Sequence, residues 1–199
     1  MAELLVVVGV VAVMGLIITE VFSRSLKGGN KSQTIASIKQ NGQASVELMD
    51  KTLRGADQVI CPVKVGDGLQ TSDTLVVVKD GKYSRFRCQI ASGTASGQIK
   101  QDSPTIQPNQ DQNSFLTNVC DVAYDDPGSS AQAITDTNTK SGVSVSDSSG
   151  NCTIFTRNKK SGFKDTVTIK FNLSPGVSAP SAIAGQIDAV KFTTTIGLR

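Results

Sequence analysis

Leu4-Leu5-Val6-Val7-Val8-Gly9-Val10-Val11-Ala12-Val13-Met14-Gly15-Leu16-Ile17-Ile18 is an unbroken run of 15 apolar or small residues, without charge or proline. At 1.5 Å per helical residue the run covers about 22 Å of a hydrocarbon layer roughly 30 Å thick, and extension from Met1 to Phe22 raises this to about 33 Å. The extension takes in Glu3, Thr19 and Glu20. A carboxylate at the end of an apolar span is costly and calls for a partner, which makes Glu3 a candidate functional residue. A secretory signal peptide would need a basic segment before the run and a small-residue cleavage site after it. Neither is present, and the first basic residues, Arg24, Lys27 and Lys31, follow the run. Counted alone, they would leave the rest of the chain in the cytoplasm.

Downstream, Ile35, Ile38, Gly42, Val46, Met49 and Leu53 recur at steps of three and four, with Lys39, Gln40, Gln43, Glu47, Asp50 and Lys51 between them. That period predicts an amphipathic continuation of the same helix. Gly28-Gly29 is its weak point, at about 1 kcal/mol per glycine relative to alanine, and is expected to kink or melt it locally. A helix from Glu3 to Ala56 would be roughly 80 Å long, too long to bury in a globule of this size. The chain thus divides into a membrane or filament-core helix at 1–30, an amphipathic helix at 31–56 and a head at 57–199.

The remainder of the 199 residues bounds the function classes. The chain has no His and no Trp, and its 20 Lys and Arg against 17 Asp and Glu leave a charge of +3. Without histidine there is no Ser-His-Asp or Cys-His nucleophile and no His-ligated zinc. No enzyme activity, cofactor or metal is expected. The four cysteines, Cys61, Cys88, Cys120 and Cys152, lack any CxxC pair, so they suit two disulfides in an oxidising compartment. That location opposes the charge rule, and both hold if a basic leader precedes Met1. Four cysteines allow three connectivities; closeness in sequence favours Cys61–Cys88 and Cys120–Cys152, each closing about 30 residues.

The head reads as β structure. Leu75 to Val78, the dipeptide Asp80-Gly81, and Tyr83 to Ile90 predict a type I′ hairpin in which Phe86, Cys88 and Ile90 alternate with Arg85, Arg87 and Gln89. Val167, Ile169, Phe171 and Leu173 alternate with polar residues, as do Val190, Phe192, Thr194, Ile196 and Leu198; both strands should face the helix. Shorter strands are expected at 59–63, 115–123 and 152–157. The polar stretches 91–108 and 125–150 read as surface loops.

Other clusters read most simply as surface. Asp121, Asp125, Asp126 and Asp136 lack EF-hand spacing and fit solvated turns. Arg157, Lys159, Lys160 and Lys164 fit a solvated hairpin tip; DNA contact there is possible in principle, but Phe155 and Phe163 alone make no stacking platform. Lys140-Ser141-Gly142 and Lys160-Ser161-Gly162 stand without a nucleophile constellation.

Glu3-Leu4-Leu5-Val6-Val7-Val8-Gly9-Val10, followed by apolar residues and then an amphipathic helix, resembles the ELLVV core of type IV pilins and pseudopilins. Residues 41–56 are similar to the second half of the stalk helix in minor pilin-like proteins, and 191–199 to their last strand. The family normally carries a basic leader ending in Gly, then Phe-Thr-Leu-Ile before the glutamate, and often a proline late in the apolar run. Here Met1-Ala2 precede Glu3 and that proline is absent. The resemblance implies an α+β pilin-like fold: a long N-terminal α-helix packed on an antiparallel β-sheet head.

It also implies a structural subunit of a pilus or pseudopilus-like filament. Such a subunit is held as a single-pass protein in the cytoplasmic membrane before assembly and is extracellular or periplasmic afterwards. Its partners would be homo- or hetero-oligomers of pilin-like subunits, prepilin peptidase and an inner-membrane assembly machinery. Glu3 through Val10 would form the assembly segment, with Glu3 meeting the N-terminal amine of a neighbour, where pairing satisfies a carboxylate in low dielectric. Glu20 reads as stalk surface or as a partner for a neighbour's basic residue. Major pilin, minor pilin, secretion pseudopilin and DNA-uptake subunit remain open, and the competing class is a monomeric single-pass membrane protein with an extracellular ligand-binding head.

Overall fold

The computed structural model describes residues 2–63, 66–125 and 130–198, with residues 2–6, 27, 182 and 183 described by backbone alone. The fold is α+β, with a long N-terminal helix and antiparallel sheets. Helix α1 runs from Ala2 to Arg54 and passes through Gly28-Gly29 without a break. The expected interruption there is therefore corrected: two glycines cost helix stability, but both retain helical backbone geometry in an otherwise proline-free sequence. The helix ends at Gly55, and the chain turns back with Ala56 N–H donating to Leu53 O at 3.1 Å.

After α1 come strands β1 (Gln58–Cys61), β2 (Gly68–Ser72), β3 (Thr74–Lys79), β4 (Lys82–Gln89) and β5 (Gln98–Asp102). Helix α2 (Gln112–Asn118), β6 (Gln132–Ala133), β7 (Val143–Ser146), β8 (Phe155–Lys159), β9 (Thr166–Pro175), α3 (Ser181–Ala184) and β10 (Val190–Gly197) complete the described elements. One sheet has the order β1-β3-β4-β5-β6; the other has β10-β9-β8-β2, with β7 also pairing to β9. The β3–β4 turn is the expected one, since Asp80 and Gly81 have φ of 49° and 74°.

The main core lies between α1 and the sheets. Ile38, Met49 and Leu53 of α1 meet Val167, Ile169, Phe171 and Leu173 of β9 and Leu75, Val77 and Phe86 of the other sheet. Full burial of such a side chain stabilises by about 1.5–3 kcal/mol. Gly42 sits where α1 crosses β10: a Cβ there would fall on the Phe192 ring, which stacks on Phe171 at 5.3 Å between centroids. Ser45, also buried, donates to Asn41 O and Ile134 O, so the helix face carries one polar position among its apolar ones.

Several expectations are corrected. Residues 115–123 are not a strand: α2 occupies the first part, capped by Asp111, whose carboxylate accepts from Asn113 and Ser114 N–H. Phe115 and Val119 are buried four residues apart, a helical spacing. The polar stretches 91–108 and 125–150 contain β5, β6 and β7, and Ile99, Val143 and Val145 reach the main core. Backbone pairing holds these strands although few of their side chains are apolar.

The cysteines pair as Cys61–Cys120 and Cys88–Cys152, not as nearest neighbours in sequence. The reason is the pleat together with a register shift on β1 between Val59 and Cys61, which turns Cys61 off the main-core face that Val59 holds and sets it opposite Val76. Strand β3 sends Leu75 and Val77 to the main core and Val76 to the opposite face, where Cys61, Phe115 and Val119 form a smaller core. Cys88 and Cys152 belong to the main core, so the sheet separates Cys61 from Cys88.

Candidate functional site

From about Val7 to Leu26, α1 stands clear of the head, and its large apolar side chains are 50–74% exposed. Val7, Val8 and Val10 belong to this surface, and open space surrounds Gly9 and Gly15. The side chains of Glu3, Leu4, Leu5 and Val6 lie outside the described residues; their backbone continues the helix. By length and composition this segment is able to cross a membrane, and the span is wholly unburied. Two disulfides in the head fit an oxidising compartment.

The segment's polar groups make local contacts. Thr19 Oγ1 donates to Gly15 O at 2.8 Å, and Arg24 pairs with Glu20 at 2.5 Å one turn away. Glu20 is thus exposed, with an ion pair inside its own helix. Further along, the α1 face turned away from the core carries Lys39, Gln43, Glu47 and Asp50, with Asp50 bonded to Arg54 at 2.6 Å. That bond and the nearby carboxylate raise the Arg54 guanidinium above its ordinary pKa. Between this face and β10 runs a groove of about 390 Å³, lined by Gln43, Val46, Glu47, Asp50, Arg54 and Phe192 among others.

The arginines that alternate with Phe86 and Cys88 on β4 are buried as well. Arg85 and Arg87 point to the small-core face, where Arg85 forms a bidentate pair with Asp102 of the adjacent strand. Arg87 reaches Asp102 at 3.5 Å and donates through Nη1 to Val122 O, Tyr124 O and Asp125 Oδ1. Arg87 Nε is buried without a partner among the described residues. The hydrogen bond and charge of Arg87 hold the Asp125 carboxyl below its ordinary pKa. These contacts strap residues 119–125 over the sheet. Removing one member of such a buried pair costs about 3–5 kcal/mol, because the other charge stays buried.

Arg157 is likewise buried, bonded to Asp165 and to Pro62 O, and is corrected from the expected solvated tip. Lys159 lies 3.8 Å from Asp165, and Lys160 sits over the Phe163 ring at 5.5 Å. The acidic residues are spread apart. Asp121 accepts from Ala123 N–H, Asp136 from Asn138 N–H, and Asp125 belongs to Arg87; Asp126 lies outside the described residues. Asp147 organises its own turn: burial acts to raise its carboxyl, and hydrogen bonds from Thr153, Ser149 and Asn151 outweigh it and hold the pKa down.

A second groove, of about 620 Å³, lies beside the Cys88–Cys152 bond and is mostly apolar. No set of three His, Cys, Asp or Glu side chains placed to hold a metal occurs among the described residues. No protein-family model, no curated protein and no solved structure matches the chain.

Proposed function

We propose that this chain is a structural subunit of a type IV pilus or pseudopilus-like filament. The apolar half of α1 anchors it in the membrane before assembly and is packed among copies of itself afterwards. One observation carries the reading: a helix continuous with the head's core leaves that core near Lys31 and presents a fully unburied apolar surface over more than four turns. Such a surface is unstable in water and needs either lipid or other apolar helices.

The resemblance at Glu3 to Val10 selects assembly over simple anchoring. Glu3 is the residue whose charge, placed in low dielectric, demands a partner from the next subunit. The role is structural rather than catalytic, its partners are further copies or related subunits, and the finished filament stands outside the cytoplasmic membrane. Glu3→Ala tests it. The variant should insert in the membrane and keep both head disulfides, but lose sheared filaments visible by negative-stain electron microscopy. Filaments at wild-type yield would remove Glu3 from assembly, and a native chain that stays monomeric in the membrane would favour a ligand-binding single-pass protein.

A further inference from the structure

Charges along α1 are not scattered evenly. Glu20, Lys27 and Lys31 are followed 19, 20 and 19 positions later by Lys39, Glu47 and Asp50, each of opposite sign. At 100° per residue the first three fall within an arc of about 40° and the second three within about 80°, so each set shares one helix face. The second face is the one that borders the groove beside β10, and Lys39 and Glu47 there are exposed. Glu47 has no ion-pair partner among the described residues, while Glu20 and Asp50 hold only i,i+4 pairs that a third charge can share.

Resting on the filament reading above, we propose that neighbouring copies pack with α1 helices parallel and offset by about 20 residues, roughly 30 Å. Glu20, Lys27 and Lys31 of one copy then seat along Lys39, Glu47 and Asp50 of the next, in the groove between α1 and β10. The partner is a second copy of this chain, and the argument is charge complementarity, which sets register more than raw affinity. Several other registers set like charges together. An offset of zero places every charge against itself, and an offset of 27 sets Glu20 against Glu47, Arg24 against Lys51 and Lys27 against Arg54, all of like sign. An offset of 7 brings Arg24 to Lys31, and one of 8 brings Lys31 to Lys39. At an offset of 20 Lys51 also comes level with Lys31; it lies about 100° round the helix from Asp50 and about 40° from Glu47, at the edge of the shared face, and offsets part of the attraction.

The test uses the full chain in assembled filaments. With Lys27→Cys and Glu47→Cys in one chain, mild oxidation should give a ladder of disulfide-linked oligomers, whereas Lys27→Cys with Lys39→Cys, an offset of 12, should give none. Glu47→Lys should lower filament yield roughly fivefold, with Lys27→Glu in the same chain restoring it. Because Glu47 is exposed, head unfolding should not shift in either variant. Filaments with no ladder from the 27/47 pair, or with an equal ladder from the control, would overturn the register and leave the filament reading standing. Failure of the unmodified chain to form filaments would overturn both.

Discussion

Replacing Gly42 by alanine should destabilise the head, against the usual gain from removing a helix glycine. In an open helix interior the change stabilises by about 1 kcal/mol. Here the new Cβ falls on the far end of the Phe192 ring, and that ring is held by stacking on Phe171 at 5.3 Å and 19°. Overpacking a fitted contact costs about 1–3 kcal/mol, and displacing the ring forfeits about 0.5–1.5 kcal/mol of stacking. The balance is a net loss of about 1–2 kcal/mol, or roughly 2–8 °C in Tm at this chain length. Denaturant melts of Gly42→Ala, Phe192→Leu and the double variant in detergent measure it. Leucine lacks the far end of the ring and should leave room for the methyl, so the double variant should be more stable than the sum of the singles by about 1 kcal/mol. Additive losses, or a Gly42→Ala chain more stable than wild type, would refute the packing of α1 on β10.

The disulfides close loops with sequence separations of 59 and 64 residues, for which the chain-entropy model gives about 4 kcal/mol each. Replacing either pair with alanines should lower head stability by up to that amount, and non-reducing peptide maps should show Cys61–Cys120 and Cys88–Cys152. The Asp125 carboxyl titrates below its unfolded value, so its contribution is present above about pH 4 and is lost as pH falls through the lower folded value. Its side-chain carbon resonance in NMR should titrate below that of an ordinary aspartate, and Arg87→Lys should bring the titration back up. An unshifted midpoint in the native chain would remove Asp125 from the strap.

The helix and the inner strands were legible because their periods are strong. Ile38, Gly42, Met49 and Leu53 are buried as their spacing requires, with Ile35 and Val46 partly so, and Val167 to Leu173 alternate into the core. The Asp80-Gly81 turn was legible because few dipeptides accept positive φ twice in succession. What escaped were features set by a third element. Alternation on β4 cannot reveal that α2 and residues 119–125 cover the face bearing Arg85 and Arg87, nor that Asp102 stands opposite on β5. Asp111 followed by Phe115 and Val119 did carry a helix signal, an N-cap with i,i+4 apolar residues, which the β-rich context around it masked. Cysteine pairing depended on which face each strand residue took, information that sequence distance does not hold. At the candidate site, apolar length and the position of Glu3 were readable directly, whereas the groove beside β10 exists only once Phe192 packs over Gly42.

Leu16, at 74%, is the most exposed large apolar side chain described on α1, and a photo-crosslinking residue in its place tests the central claim most directly. In the sheared extracellular fraction it should give adducts between copies of this chain, with lipid adducts confined to the membrane fraction. Lipid adducts alone, with no assembled extracellular material, would contradict a filament core built from this helix.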